Sequence, residues 1–380
     1  MGGAGPRGLR YPAPGAIAYS ICAPVPGRGD FPCRRTSALK GVFSILKKGV
    51  NRQTASIALW ALLVATLVWL PGGSPLSPEE SRLLQRIEAA WESLLALRSE
   101  TGVPHSETDD PHRSGMIGVE WSPITTTSGS LASKQLSVRP GWAVIFRRWF
   151  AREGLGPGDR ITILSSGSFP GLAVSSLAAA ESLGLDVTLV ISLGSSTWGA
   201  NIPSMTISDI LYFLRTRGFV RTRAAACTIG GAGEMGRDLP PEGLSALEEA
   251  ARRDVIPLII AEDLEEMIER KAAVSLPEGT RLVVQIGGSH ADLGSDPSVL
   301  DLPPGFLRPS PGLKAGNGVV SKALERGITV LHVLNIPELA RSAGLEGRYS
   351  LPWARPPWRF LVAATSGMIV LSLFRRWELE

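Results

Sequence analysis

Residues 160–203 read RITILSSGSFPGLAVSSLAAAESLGLDVTLVISLGSSTWGANIP, and this stretch decides the fold. An apolar run at 161–164 meets a Ser/Gly turn at 165–168. A helix of small residues follows at 170–183. A second apolar run at 187–193 then meets a Ser/Gly/Asn turn at 194–201. Strands that are continuously apolar, rather than alternating, belong to a parallel sheet covered on both faces. Both polar turns follow the C-terminal ends of strands. Parallel pairing therefore puts them on one edge of the sheet, the edge where open α/β sheets bind ligands.

Outward from this unit the pattern continues. Helices are predicted at 78–100, 142–154, 207–218, 244–253, 264–271, 316–326 and 336–343. Strands are predicted at 224–229, 255–260, 282–286 and 328–333. Alternating β and α of this kind gives a doubly wound, mostly parallel sheet, a Rossmann-like three-layer α/β domain over 78–350. The helix at 78–100 carries Leu83, Leu84, Ile87, Trp91, Leu94 and Leu95 at helical spacing, with Ser77 or Ser81 available as cap. Residues 297–311 form a Pro/Gly-rich excursion. Residues 101–137 are polar and without period. A loop of that length is either functional or disordered, and Met116, Ile117, Val119 and Trp121 within it argue for order.

The ends of the chain read differently. Residues 1–52 are a basic, Gly/Pro/Arg-rich segment without period, expected to be disordered, and its first 40 or so residues resemble sequence upstream of the true start. Between Arg52 and Glu79 there is no charge, and 55–70 is almost wholly apolar. A span over 53–73 is close to the length a bilayer requires. Trp60 and Trp69 suit the interfaces, and the basic excess before the span predicts a cytoplasmic N-terminus. A cleaved signal peptide is the rival reading, but no Ala-x-Ala site is present and Pro71 and Pro75 crowd the region. A second uncharged run at 360–374, flanked by Arg355, Arg359, Arg375 and Arg376, predicts a transmembrane helix over 358–376. The alternative is a buried core helix. Two spans place the central domain outside the membrane.

Composition excludes several classes. The chain has 380 residues, a net charge of +4 and no basic stripe interleaved with aromatics, so nucleic acid is not an expected partner. Cys22, Cys33 and Cys227 are too few and too scattered for a disulfide framework or a zinc site, and the histidines show no metal-binding spacing. No metal is expected, and no cofactor is specified.

Four constellations are candidates for chemistry. The two turns supply Ser165, Ser168, Ser195, Ser196, Thr197 and Asn201, hydroxyl and amide donors beside a helix N-terminus, an arrangement suited to an anion. The alternative is capping and turn chemistry alone. GSFPG is not a nucleophile elbow. Residues 231–236 spell GxGxxG after a strand, with Glu262 and Asp263 beyond the next one. However, the run does not open a helix, and Glu234 within it would repel a pyrophosphate. Asp109, Asp110, His112, Arg113 and Glu120, with Thr125–Thr127, could serve acid–base work or form a solvated loop. His290, at the end of the strand at 282–286, could be a ligand or a base.

Taken as a set, DDPHRSGMIGVEWSPITTTSGSLASK, SSGSFPGLAVSSLAAAESLGL and SLGSSTWGANIP resemble the poly-γ-glutamate system protein family, from about residue 78 to 345. The resemblance implies a membrane component that works with the machinery for poly-γ-glutamate biosynthesis and export. It implies no particular reaction. The expected role is an accessory protein at the cell membrane, with its domain extracytoplasmic, that binds the anionic polymer or its end. Ser165, Ser168, Ser195, Thr197, Asn201 and Arg113 are the expected ligand-binding donors. One alternative is a γ-glutamyl hydrolase or transferase, with Ser168 or Ser196 attacking and Glu120 and His290 as further chemical candidates. Another is a nucleotide-linked cytoplasmic partner of the synthetase that uses 231–236.

Overall fold

The computed structural model describes Trp60 and residues 76–313 and 315–345. The apolar spans expected at 53–73 and 358–376 fall almost wholly outside these residues, as does the basic N-terminal segment. Among the described residues, no helix is long and apolar enough to cross a membrane.

The domain is mixed α/β with a mostly parallel sheet, consistent with a Rossmann-like fold. Its strands are β2 (Arg160–Ser166), β3 (Asp186–Ser192), β5 (Ala224–Thr228), β6 (Thr280–Ile286), β7 (Gly305–Leu307) and β8 (Thr329–Val333). The sheet is six-stranded, in the order β5-β3-β2-β6-β8-β7. All pairings are parallel except β7 with β8. The chain builds outward from β2 through β3 to β5, then returns to the other side of β2 to lay down β6. The strand order therefore reverses between β2 and β6, and such a switch point opens a crevice at the strands' C-terminal ends. A short parallel pair, β1 (Thr125–Thr127) with β4 (Ser195–Ser196), stands at that same edge.

Successive residues of a strand face opposite sides, and both sides here are apolar. Ile161, Ile163, Ile191, Leu282 and Val284 enter one core, and Leu164, Val190, Val283 and Val330 the other. On the first side, α1 (Pro78–Thr101), α3 (Gly141–Arg152) and α4 (Pro170–Ser182) pack together, with α5 (Ile207–Thr216) against them. On the second side lie α7 (Leu264–Ser275) and α9 (Val319–Glu325). Between these come α2 (Leu131–Ser137), α6 (Pro241–Arg253) and the single-turn α8 (His290–Leu293), and α10 (Ile336–Ser342) closes the order.

Local chemistry explains the elements. Ser77 and Glu80 form a capping box at the start of α1, and Gly102, in the left-handed region, ends it. The small residues of α4 let it lie deep between sheet and outer helices, buried from Pro170 to Glu181. A Cβ on Gly171 would stand 2.9 Å from the Ser137 carbonyl oxygen and 3.0 Å from Val138 Cα, so the start of α4 meets the backbone at the end of α2 this closely only because that position is glycine. Trp142, Phe146 and Phe150 of α3 are fully buried. Truncation of one of these rings would cost about 3–5 kcal/mol.

Two expectations differ from what is observed. Residues 255–260 do not form a strand. They make one bridge, in which Cys227 N–H donates to the Pro257 carbonyl (2.8 Å) and Ile259 N–H donates to the Cys227 carbonyl (2.8 Å). Val255 takes a left-handed backbone, and Val255 and Ile260 are exposed, so the apolar run lies at the sheet margin with little to pair against. In the excursion at 297–311, residues 305–307 instead form the antiparallel edge strand β7.

Candidate functional site

A cleft of about 380 Å³ opens at the C-terminal ends of β2, β3, β5 and β6. Its walls come from chain segments far apart in sequence: 126–134, 166–169, 192–196, 230–238 and 288–290. Both turns of the central unit reach it, as the parallel pairing requires.

One wall is built on the polar stretch that the sequence left without period. Arg98 of α1, buried, donates to the Gly115 and Ile117 carbonyls and anchors the stretch at one end. Asp110 accepts from Gly115 N–H (2.8 Å) and from the Ser114 hydroxyl. Further along, Asn201 clasps Val119 through both its N–H (2.9 Å) and its carbonyl (2.7 Å), and donates to Thr125 Oγ1 (3.0 Å). Thr197 does the same for Gly129, accepting from its N–H (2.7 Å) and donating to its carbonyl (3.0 Å). These clasps seat α2 against the sheet edge.

What they seat is Lys134. Its side chain is buried, its Nζ lies 3.8 Å from the centre of the Phe169 ring, and it donates to Ser196 Oγ (2.7 Å) and to the Ser168 carbonyl (2.5 Å). Among the described residues no carboxylate forms an ion pair with it. Burial without a counter-charge pulls its pKa down to about 7. Ser196 N–H donates to Ser168 Oγ (3.0 Å), so the two serines and the lysine form one hydrogen-bonded set. Gly129 covers this set closely: a Cβ there would stand 2.9 Å from Ser196 Oγ and 3.3 Å from Lys134 Cε.

Nearby, α4 begins. Phe169 provides it no side-chain cap, Pro170 has no N–H, and Leu172 N–H donates to the Phe169 carbonyl (3.1 Å), so the positive end of the helix dipole carries no side-chain acceptor from its N-cap. Ser166 Oγ, buried and lining the cleft, has no hydrogen-bond partner among the described residues.

Behind the opposite wall, in contact with the lining residues Ser192, Glu234 and Ser289, lies a second buried lysine in different company. Lys271 Nζ lies 2.8 Å from Asp292 Oδ1 and 3.3 Å from Glu234 Oε2, and donates to Ser289 Oγ (3.0 Å) and Ser192 Oγ (3.2 Å). Thr228 and Ser192 hydroxyls also donate to Glu234 Oε2, and His290 N–H donates to its Oε1 (3.1 Å). Burial works against ionised Glu234, but Lys271 and the hydroxyls outweigh it and hold its pKa below the ordinary carboxylate value. Burial, together with the Glu234 charge, raises Asp292 despite Lys271. Burial would lower Lys271, yet the two carboxylates keep it above the ordinary amine value.

The GxGxxG run owes its glycines to this cluster. Gly230, Gly231, Gly233, Glu234 and Gly236 all have positive φ, and the run forms a single 3-10 turn rather than opening an α-helix. The left-handed turns swing Glu234 back beneath the strand ends. A non-glycine residue in that region costs on the order of 1–3 kcal/mol, which the ion pairs offset.

The predicted site residues are thus divided. Ser168, Ser196 and His290 line the cleft. His290 is exposed, and its Nδ1 accepts from Gly233 N–H (3.2 Å). Ser165 is turned away into the protein and donates to the Ser166 carbonyl (3.2 Å). Ser195 donates to the Gly167 carbonyl (3.0 Å), tying the two turns together. Thr197 and Asn201 use their polar groups on the clasps described above. Arg113 is exposed and pairs with exposed Glu107 (2.7 Å), and Glu120 is exposed on the same stretch. Neither lines the cleft. Lys134, Glu234 and Lys271 are the site residues for which the sequence carried no local sign of partnership.

No family model matches the chain, and no curated protein matches it. Among solved structures it is similar to a 2-hydroxyisobutyryl-CoA ligase in an open conformation, in complex with 2-HIB-AMP and CoA. That match has 18% identity, a TM-score of 0.16, and covers 43% of this chain and 27% of that one. The same ligase in its thioesterification state matches at 15% identity and a TM-score of 0.15, covering 61% of this chain and 47% of that one. The chain spans about a quarter to a half of the length of those structures, and likeness at this level bears on neither the site nor its chemistry.

Proposed function

We propose that this chain is a membrane-anchored accessory component of poly-γ-glutamate biosynthesis or export, and that its cleft binds the anionic polymer or its end. In this reading the doubly wound domain is extracytoplasmic, held by helices at 53–73 and 358–376, and its partners are the synthesis and export machinery. The observation that carries the binding role is the pairing, within one cleft, of a buried lysine without a carboxylate partner and an uncapped helix N-terminus. Both favour a negative group, and the Ser166 and Ser168 hydroxyls beside them suit a carboxylate. A chain with one carboxylate per residue is then recognised locally, through a few aimed donors. That agrees with the small net charge of +4, which would not sustain a salt-dependent basic groove.

Calorimetric titration of the full chain with defined poly-γ-glutamate oligomers tests this. Binding is expected to weaken at least about tenfold in Lys134→Met and to vanish when the carboxylates are amidated. Equal binding of the amidated polymer would overturn the reading.

A further inference from the structure

A carboxylate site calls for a cation, but not for one directed at a serine hydroxyl. Of the three donors on Lys134, one goes to Ser196 Oγ at 2.7 Å and one to the Ser168 carbonyl at 2.5 Å. The α4 N-terminus already supplies positive character for an anion. We infer that Ser196 is a nucleophile with Lys134 as its base, and that the cleft transfers the γ-glutamyl acyl group of its ligand to water or to an amine. This rests on the polymer-binding reading for the identity of the acyl group, but not for the dyad itself.

The chemistry balances without a cofactor. The neutral Lys134 amine accepts the Ser196 hydroxyl proton as Oγ bonds to the amide carbon, and the carbonyl π electrons move onto oxygen. Collapse of that oxyanion breaks the C–N bond, and Lys134 returns the proton to the departing amine. Water, or an acceptor amine, then attacks the ester carbon. Lys134 takes its proton, the Oγ–C bond breaks, and Ser196 regains a hydroxyl.

Three features fit this role. Burial holds Lys134 near 7, so a share of it is free amine at neutral pH. Ser168 Oγ accepts from Ser196 N–H (3.0 Å) and has no acceptor for its own proton among the described residues, which leaves a donor beside Ser196 for the oxyanion. Gly129 leaves the Ser196 hydroxyl no spare room on its far side. Lys271, by contrast, is paired to two carboxylates and cannot take a proton from a nucleophile.

The test exposes the full chain to a fluorophosphonate, maps the labelled residue by mass spectrometry, and counts new amino ends released from poly-γ-glutamate, with polymer binding measured in parallel. The dyad predicts labelling at Ser196 at a rate that rises through about pH 7. Ser196→Ala should lose labelling and lower end release by about 10³-fold or more, while binding polymer within about threefold of wild type. Lys134→Met should be unlabelled, with circular dichroism confirming its fold. Polymer bound by the wild type without labelling or new ends would overturn the dyad and leave the binding reading standing. Labelling of Ser196 with that pH profile and no polymer binding would uphold the dyad and remove the polymer as its substrate. End release unchanged in Ser196→Ala would overturn the assignment of the nucleophile.

Discussion

Lys134 and Lys271 are both buried, 2% and 0% exposed, the first lining the cleft and the second behind the cleft residues Ser192, Glu234 and Ser289, yet they are held in opposite ways. Lys271 has two carboxylates and two serine hydroxyls around it. Its charge is compensated, its pKa is raised, and its work is to hold Glu234, Asp292, Ser192 and Ser289 together beneath the strand ends. Lys134 has a hydroxyl, a carbonyl and an aromatic face. Its charge is uncompensated and its pKa falls to about 7. A buried cation with its anions in place is architecture. A buried cation without them is a cost to stability that the fold carries for a ligand or a reaction.

The largest expected effect comes from removing the compensated lysine. Lys271→Met leaves Glu234 and Asp292 buried without a cation, and should lower stability by about 3–5 kcal/mol in urea unfolding. A loss below about 1 kcal/mol would show that the cluster is not the strut described above. The uncompensated lysine should show itself through pH. Its folded pKa, about 7, lies below that of the unfolded amine, about 10.4. Between those values the unfolded state binds more protons, so stability rises with pH across this window. The wild type should therefore gain on Lys134→Met by about 1.4 kcal/mol per unit at most between pH 7 and 10. A flat difference would mean that Lys134 stays charged in the fold.

Smaller effects sharpen the contrast by loosening one wall only. Asn201→Ala leaves the Val119 N–H and carbonyl without their clasp, and should cost about 2 kcal/mol. It should weaken ligand binding by unseating α2, while hydrogen exchange around Lys271 stays unchanged. Gly129→Ala should cost about 1–3 kcal/mol through overpacking. Its added methyl would crowd Ser196 Oγ and Lys134, so fluorophosphonate labelling should fall about tenfold or more. Labelling at the wild-type rate in this variant would show that the Gly129 side of the dyad is open.

Much of this arrangement was legible in the sequence because it is local. The apolar runs of β2 and β3 and the small residues of α4 fix a parallel unit, and that unit puts both polar turns on one edge. Which serine of a turn faces the cleft was not legible. Ser165 and Ser166 are neighbours on one strand and so point to opposite sides, and no neighbour in sequence says which side is solvent. The ion-pair cluster is non-local: Glu234 and Lys271 belong to separate elements and meet only once the sheet is assembled. The GxGxxG run marked the right place for a different reason, since its glycines provide left-handed turns for Glu234 rather than room for a pyrophosphate. Residues 255–260 misled because an apolar run at a sheet margin has the composition of a strand while its pairing stops at a single bridge to Cys227.

The most direct test is the stability of wild type and Lys134→Met at pH 7, each with and without saturating poly-γ-glutamate oligomer. Without ligand, the variant should be more stable than wild type, by about 1–2 kcal/mol once the lost hydrogen bonds are set against the relieved charge. The oligomer should stabilise the wild type, by about 2.7 kcal/mol at a hundredfold excess over Kd, and the variant by about 1.4 kcal/mol or less at the same concentration. A variant several kcal/mol less stable than wild type, with the oligomer acting on both alike, would make Lys134 a structural residue and contradict the account.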